Sequence, residues 1–469
     1  MILYNSLSGK KEEFISNVKG KVLMYTCGPT VYNYAHIGNL RTYIMEDVLE
    51  KSLKYLGYDV KRAMNITDVG HLQNDSDNGK DKMVEGAKKE NKSVLEIAKY
   101  YTETFKNDFK KLNLKWPTIV VPASSCIDTY IEMITKLLDK GFAYKSGGNI
   151  YFDTSKLEKY NVFSSQVKEE LLVGAREDVD TDENKKNQQD FVLWFTKSKF
   201  ENQALKWESP WGTGYPGWHI ECSGINYKYL GEYLDIHCGG IDNKFPHHTN
   251  EIAQCEGFFG HKWCNYWFHV SHLNLKDAKM SKSSGNFVTV SKLIEMGYNP
   301  MVYKLFCLQS HYRNTLIFSN ETIEGAKSVY TSIVKKIKLI DPNEGDLNKE
   351  VIAKYRSKFS EALSNDLNTS LAITVLFDML KDNISGKEKA FLLNDFDTVL
   401  DLDLLSYLNS DKNENIDKNL LEFINSKIEE RKEAKKNKDF ALADFIRKEL
   451  EIKGIILKDT REGTEYEII

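Results

Sequence analysis

Long hydrophobic runs are missing from this 469-residue chain, and the opening MILYNSLSGKKEEF lacks the basic start and apolar core of a secretory leader. No stretch approaches the roughly 20 apolar residues that cross a bilayer, so a cytoplasmic protein without a membrane partner is expected. Cysteine is sparse and poorly spaced for cross-linking: the thiols stand at 27, 126, 222, 238, 255, 264 and 307, an odd number with no CxxC pair. That pattern argues against a disulfide framework. Most of these thiols are expected to be small buried apolar groups, and any with a role to be a thiolate on a metal. A dominant charge is lacking too, since 64 Lys and Arg against 68 Asp and Glu leave a net charge of -4. Such a balance advertises no polyanion partner, although a basic face on one domain would be averaged away. No internal repeat is found.

What is present fits two to four domains at 54.1 kDa. Residues 21 to 26, KVLMYT, read as a buried strand broken by Gly28 and Pro29. From 39 to about 57 the apolar side chains of Leu40, Tyr43, Ile44, Val48 and Leu53 recur with helical spacing, stopping at Gly57. A strand, a glycine-bearing loop and a helix open a nucleotide-binding α/β unit. DVKRAMNITDV supplies a second strand. Residues 80 to 112 have helical periodicity, ended by Trp116-Pro117. Between 121 and 211 come a helix near 127 to 140, the strand GNIYFDT and the polar run AREDVDTDENKKNQQD, read as an exposed loop within an insertion. Everything from about 316 reads as helical, closing with a long amphipathic helix or helix pair stopped by Gly454.

Two segments carry phosphate chemistry. His36 falls where a loop meets a helix N-terminus, whose free N–H groups and dipole favour an anion. Read alone, it serves equally well as a turn or cap residue. The run Lys279-Met280-Ser281-Lys282-Ser283-Ser284-Gly285-Asn286 places two lysines among small residues, a composition able to fold over a triphosphate.

In that order and separation, His36-Ile37-Gly38-Asn39 and Lys279 to Ser283 resemble the HIGH and KMSKS signatures of class I aminoacyl-tRNA synthetases. Within that class the chain is similar to the cysteinyl-tRNA synthetase family through CGPTVYNYAHIGN, RTYIMEDVL, NITDV, DFVLW, SPWGTGYPGWHIECS, DIHCGGIDNKFPHHTNEIAQ, KMSKSSGNF and ADFIRKELEIKGIILKDTREGTEYE. The likeness covers essentially the whole chain and is most specific from 209 to 286. It implies an α/β fold: a class I Rossmann-type nucleotide-binding domain with an inserted connective domain, followed by a helical C-terminal region. The expected division is 1–120 and 212–272 for the catalytic halves, 121–211 for the insertion and 273–315 for a KMSKS-bearing linker. A helical bundle at 316–405 and an anticodon-binding region at 406–469 complete it.

The same blocks give Cys27 a purpose. His247 and Glu251 lie four apart, so on a helix both project from one face and can hold one metal ion, with Cys222 and Cys27 as thiolates. Such a set suits Zn²⁺ better than Mg²⁺ because thiolate is soft. Spacing alone leaves His248, Cys238 and Cys255 open as ligands; the resemblance assigns Cys27, Cys222, His247 and Glu251. A metal that takes sulfur as thiolate separates cysteine from serine and alanine, which a hydrophobic pocket does by only about 1 to 3 kcal/mol. No editing site is then needed.

By matching, Gly28, Thr67, Trp218 and His237 fall in the amino-acid pocket, and Gly38, Gly240 and Asp242 on ATP. The implied reaction activates L-cysteine with ATP and Mg²⁺ and passes it to tRNA(Cys), with His36 and Lys282 as principal stabilisers, Asn39 and Lys279 assisting, one Zn²⁺ per chain and a monomeric enzyme. Three departures stand out. Asn39 replaces the last histidine of HIGH, Phe195 stands where the family has lysine with Lys197 nearby, and Tyr466 replaces a frequent tryptophan. Lys427, Arg431, Lys432, Lys435, Lys436, Lys438, Arg447 and Lys448 put positive charge on the last helical segment, as tRNA reading requires, with glutamates interleaved. The alternatives are a ligase passing cysteine to a small amine and a non-catalytic RNA-binding relative.

Overall fold

The computed structural model describes residues 1–69, 93–163, 183–197, 205–276, 287–409, 418–437, 439–452, 455–460 and 463–468. A two-stranded ribbon, β1 (Ile2–Asn5) and β2 (Lys10–Glu13), leads into β3 (Lys21–Thr26), α1 (Ile37–Tyr55) and β4 (Asp59–Ile66). Next come α2 (Val94–Lys111) and β5 (Ile119–Pro122). Ser93 starts α2 with a capping box to Glu96, the two side chains each taking the other residue's backbone N–H. α3 (Ile127–Asp139) then precedes an antiparallel sheet of β6 (Ala143–Ser146), β7 (Asn149–Phe152), β8 (Phe191–Phe195) and β9 (Tyr215–Pro216). The polar run before β8 is not wholly a solvated loop. It ends on buried Asp190, whose carboxylate accepts from Thr154 and Tyr144.

The chain returns through α4 (Trp218–Leu230), β10 (Leu234–Gly240), α5 (His247–Phe259) and β11 (Cys264–Val270). β10 inserts on the far side of β3, giving a parallel sheet in the order β11-β10-β3-β4-β5. Val22, Met24 and Tyr25 of β3 are all fully buried, the two-sided burial that a central parallel strand requires. The strand order reverses between β3 and β10, and in such sheets the crevice beyond the carboxyl ends at that point receives the ligand.

Past the sheet, β12 (Leu273–Leu275), α6 (Val290–Glu295), α7 (Pro300–Leu308) and β13 (Leu316–Phe318) form a linker in which β12 and β13 pair in parallel. Helices α8 (Asn320–Lys338), α9 (Lys349–Ser364), α10 (Thr369–Lys381), α11 (Gly386–Leu400) and α12 (Leu404–Asn409) follow. One apolar cluster runs unbroken from Val22, Leu40 and Ile44 under the sheet to Tyr330, Phe359 and Phe396 among these helices. A second fills the other sheet face with Tyr25, Tyr130, Ile225, Phe258 and Trp267. α13 (Lys418–Lys436) and α14 (Phe440–Ile452) form a helix pair, but the tail is not helical to its end. β14 (Ile455–Thr460) and β15 (Gly463–Ile468) make an antiparallel hairpin, with Ile455 and Leu457 buried against Ile446 and Leu450. Alternation of apolar and polar residues there serves a half-buried strand better than a helix. Among the described residues no helix is long and apolar enough to cross a membrane.

Candidate active site and metal centre

The loop after β3 is tied down residue by residue. Cys27 N–H donates to the Cys238 carbonyl at 3.2 Å, and Val31 and Thr67 exchange backbone bonds with Thr67 and Pro29. Gly28 passes so close to β4 that a β-carbon would lie 1.6 Å from the Asn65 carbonyl oxygen, so only glycine fits. Its N–H donates to Asn65 Oδ1 at 2.7 Å; Asn65 Nδ2 donates to Thr67 Oγ1 and Thr67 Oγ1 to Glu221 Oε2, each at 3.0 Å. Gly28 and Thr67 thus belong to one buried chain of polar groups. Asn65 and Glu221, its other members, were not singled out from the sequence.

Cys27 meets α4 and α5 beyond the carboxyl end of the central strand β3. One ligand atom each from Cys27, Cys222, His247 and Glu251 lies within 4.8 Å of all the others. Glu251 Oε1 is 3.0 Å from His247 Nε2 yet out of hydrogen-bond alignment, the relation of two ligands flanking a shared cation. Outer contacts orient both: His237 Nε2 donates to Glu251 Oε2 at 2.8 Å, and His219 Nδ1 meets His247 Nδ1 at 2.9 Å. A second grouping, Cys27, His237, His248 and Glu251, meets the same distance criterion. In it, His248 Nε2 approaches Cys27 Sγ at 3.3 Å while His248 Nδ1 bonds His269 Nε2 at 2.8 Å. Burial holds both of these rings well below the ordinary imidazole value, hence neutral. Two neutral rings thus link His269 through His248 to the Cys27 sulfur. The Trp218 ring lies over the His247 imidazole with centroids 4.3 Å apart.

Charge in the cluster is arranged for a cation. Burial opposes ionisation of both thiols and leaves Cys27 well above its ordinary value. At Cys222 the hydrogen bond from Cys27 and the charge of His247 outweigh burial and hold the thiol at about 6. Burial likewise works against charge on Glu251 and His247, but His237 and His247 hold the carboxyl at about 2, and Glu251 and Cys222 lift the imidazole to about 10. Two soft sulfurs, one imidazole and one carboxylate fit a tetrahedral Zn²⁺ better than Mg²⁺.

His36 is the N-cap of α1. Its Nδ1 accepts the Asn39 N–H at 3.1 Å, and Asn39 Oδ1 accepts the His36 N–H at 3.4 Å. With Nδ1 accepting, the neutral ring carries its proton on Nε2. Gly38 lies in the same turn, and Gly240 opens a single turn, Ile241–Lys244, that exposes Asp242. Lys279 and Lys282 fall outside the described residues, as does Lys438. Phe195 is buried in the insertion sheet against Tyr215, centroids 4.8 Å apart, and Lys197 is exposed beside it. On α13, Lys427, Arg431, Lys432, Lys435 and Lys436 all pair with carboxylates. His219 was legible one turn before Cys222 on α4, at the i, i+3 spacing that shares a helix face.

A family profile described as the tRNA synthetases class I (C) catalytic domain matches residues 13–328, and a DALR domain profile matches 358–398. A cysteine-tRNA ligase of Treponema denticola is 45% identical over 490 residues, spanning 99% of each chain. One from Clostridioides difficile is 40% identical over 488 residues, spanning 100% of each. The crystal structure of Mycobacterium tuberculosis methionyl-tRNA synthetase bound by methionyl-adenylate overlays 83% of this chain and 90% of its own, with TM-score 0.53 and 13% identity, a likeness of fold.

Proposed function

Since the chain belongs to the cysteine-tRNA ligase family and charges tRNA with cysteine, we propose how its own residues do so: through a cysteinyl-adenylate, with Cys27, Cys222, His247 and Glu251 holding one Zn²⁺. The observation that carries this reading is the convergence of those four ligand atoms within 4.8 Å beside Trp218. A Zn²⁺ held by these four residues would supply a soft Lewis acid that favours the thiolate form of a thiol whose free pKa is about 8.5, a preference that serine and alanine could not meet. His219 and His237 orient the ligands from behind, and His248 hydrogen-bonds the Cys27 sulfur. Gly28, Thr67 and Trp218 border the cluster and frame the amino acid.

The carboxylate of cysteine attacks the α-phosphate of ATP and expels pyrophosphate; the adenylate then acylates the terminal ribose of tRNA(Cys). No protein nucleophile is required, so catalysis rests on positioning and on donors aimed at the developing phosphate charge. His36 supplies one such donor, Nε2–H, in a tautomer fixed by the Asn39 N–H. Asn39 acts by returning its own side chain to the His36 backbone, which an uncharged amide does without titrating. Gly240 admits the adenosine closely, and exposed Asp242 accepts its ribose hydroxyls. By resemblance, Lys279 and Lys282 add charge against the phosphates, which arrive with Mg²⁺. For tRNA, α14 exposes Phe440 and Phe445, each at 64%, on the helix that carries Arg447 and Lys448, and such rings stack unpaired bases. The active form in this reading is a monomer.

Transfer of radiolabelled cysteine to total tRNA with ATP and excess serine tests the reading. Acid-stable, base-labile label that serine does not compete away is expected; competition by serine, or label found only on a small amine, contradicts it.

A further inference from the structure

The segment RTYIMEDVL, which follows Asn39, contains a fully buried arginine with an unusual set of partners. Arg41 Nη1 donates to the carbonyls of Ser271 and His272 at 2.8 and 2.6 Å, and Nη2 to those of His311 and Asn314 at 3.4 and 2.6 Å. These four acceptors come from two stretches, one entering β12 and the other entering β13. Among the described residues every hydrogen bond of this guanidinium goes to backbone, so it works as a planar clamp across two chain segments. The neighbouring turn of α1 is held to the same linker. Ile37 N–H donates to the Val288 carbonyl at 2.8 Å, and Tyr303 of α7 donates its hydroxyl to the Ile37 carbonyl at 2.5 Å. The turn that presents His36 is therefore braced by the linker at both ends.

We infer that Arg41 is a positioning residue for the activation step, fixing the linker stretches 271–272 and 311–314 against the helix turn that carries His36. The inference rests on the adenylate reading above. Arg41 touches none of the four metal-site residues, which stand on the loop after β3, on α4 and on α5. Its loss should disturb the phosphate side of the reaction and spare the thiol side. Lysine keeps the charge but offers its donors from one point and cannot span both segments.

Cysteine-dependent ATP–pyrophosphate exchange by the full chain decides the matter. Exchange by the parent tests the adenylate reading itself; the variants test Arg41. Arg41→Lys is expected to lower kcat about 10- to 100-fold and raise KM for ATP, with KM for cysteine within about twofold of parent, since small misplacements at a reacting centre act on this scale. Tyr303→Phe, which removes one brace without touching a buried charge, is expected to follow the same pattern more weakly and serves if Arg41→Lys does not fold. Parental kcat in the variants, or KM for cysteine rising in step with the loss of kcat, overturns the inference.

Discussion

At the scale of single residues, Glu46 shows what burial does to a carboxyl without a role in the chemistry. It lies on α1 with neither oxygen hydrogen-bonded among the described residues, and burial, offset only in part by the charge of Arg62, pushes it up to about 8. Between the unfolded value near 4.3 and that figure the folded state holds the extra proton, so this group's contribution to stability falls as pH rises through the window. Glu46→Gln is therefore expected to match the parent near pH 4.5 and to exceed its stability by about 4 kcal/mol at pH 8 in urea unfolding. An equal offset at both pH values would contradict the burial account. The metal-site residues were more legible than their supports. His247 and Glu251 announce themselves by i, i+4 spacing, whereas Asn65, two residues before Thr67, reaches Gly28 only because β3 and β4 pair in one register, which no local pattern encodes.

Elements differ in how plainly the chain writes them. β3 and α1 are given by a buried run and a helical stripe, and the cap at His36 by its place before that stripe. The C-terminal hairpin was missed because its lysines and glutamates continue the composition of the helices before it. The signal was the β-branched start and the alternation that buries Ile455 and Leu457. A polar clasp holds it to α13: Arg431 grips Asp459 with two bonds of 2.8 and 3.0 Å and Lys435 adds a third at 2.8 Å, while Thr464 across the hairpin bonds the same carboxylate at 2.9 Å. Those hydrogen bonds, Arg431 first, hold the Asp459 carboxyl well below the usual range. A depressed carboxyl contributes stability above its unfolded value of about 3.9 and loses it as pH falls through the folded value. The clasp should thus be constant from about pH 5 to 9 and weaken below about pH 4. Because the pair is partly exposed, Asp459→Asn is expected to cost only about 1 kcal/mol at pH 7, read as faster amide exchange in Ile455–Thr460. Unchanged exchange at pH 7 would contradict the clasp.

Over the whole molecule, the catalytic sheet and the helices beyond it are joined by shared core and shared charge. Lys51 of α1 bonds Asp47 at 2.5 Å and Asp401, at the end of α11, at 2.7 Å. Buried Asp366, between α9 and α10, accepts from the Tyr4 N–H, the Tyr312 hydroxyl and Arg313. Helix α1 therefore carries His36 at its N-cap, the linker along its first two turns and the bundle along its last two. Family likeness predicts the order of these parts, but which helix joins them depends on side chains far apart in the chain, Lys51 with Asp401 and Arg41 with Asn314. The four residues proposed to hold Zn²⁺ stand apart, on the loop after β3, α4 and α5, and their hold on the metal decides how cysteine is selected. Zinc content per chain of the purified protein, set beside that of Cys222→Ala, tests it most directly. About one equivalent in the parent and little in the variant is expected, because removing one of two thiolates from a four-ligand site costs most of its affinity. A full equivalent in Cys222→Ala, or none in the parent, would contradict it.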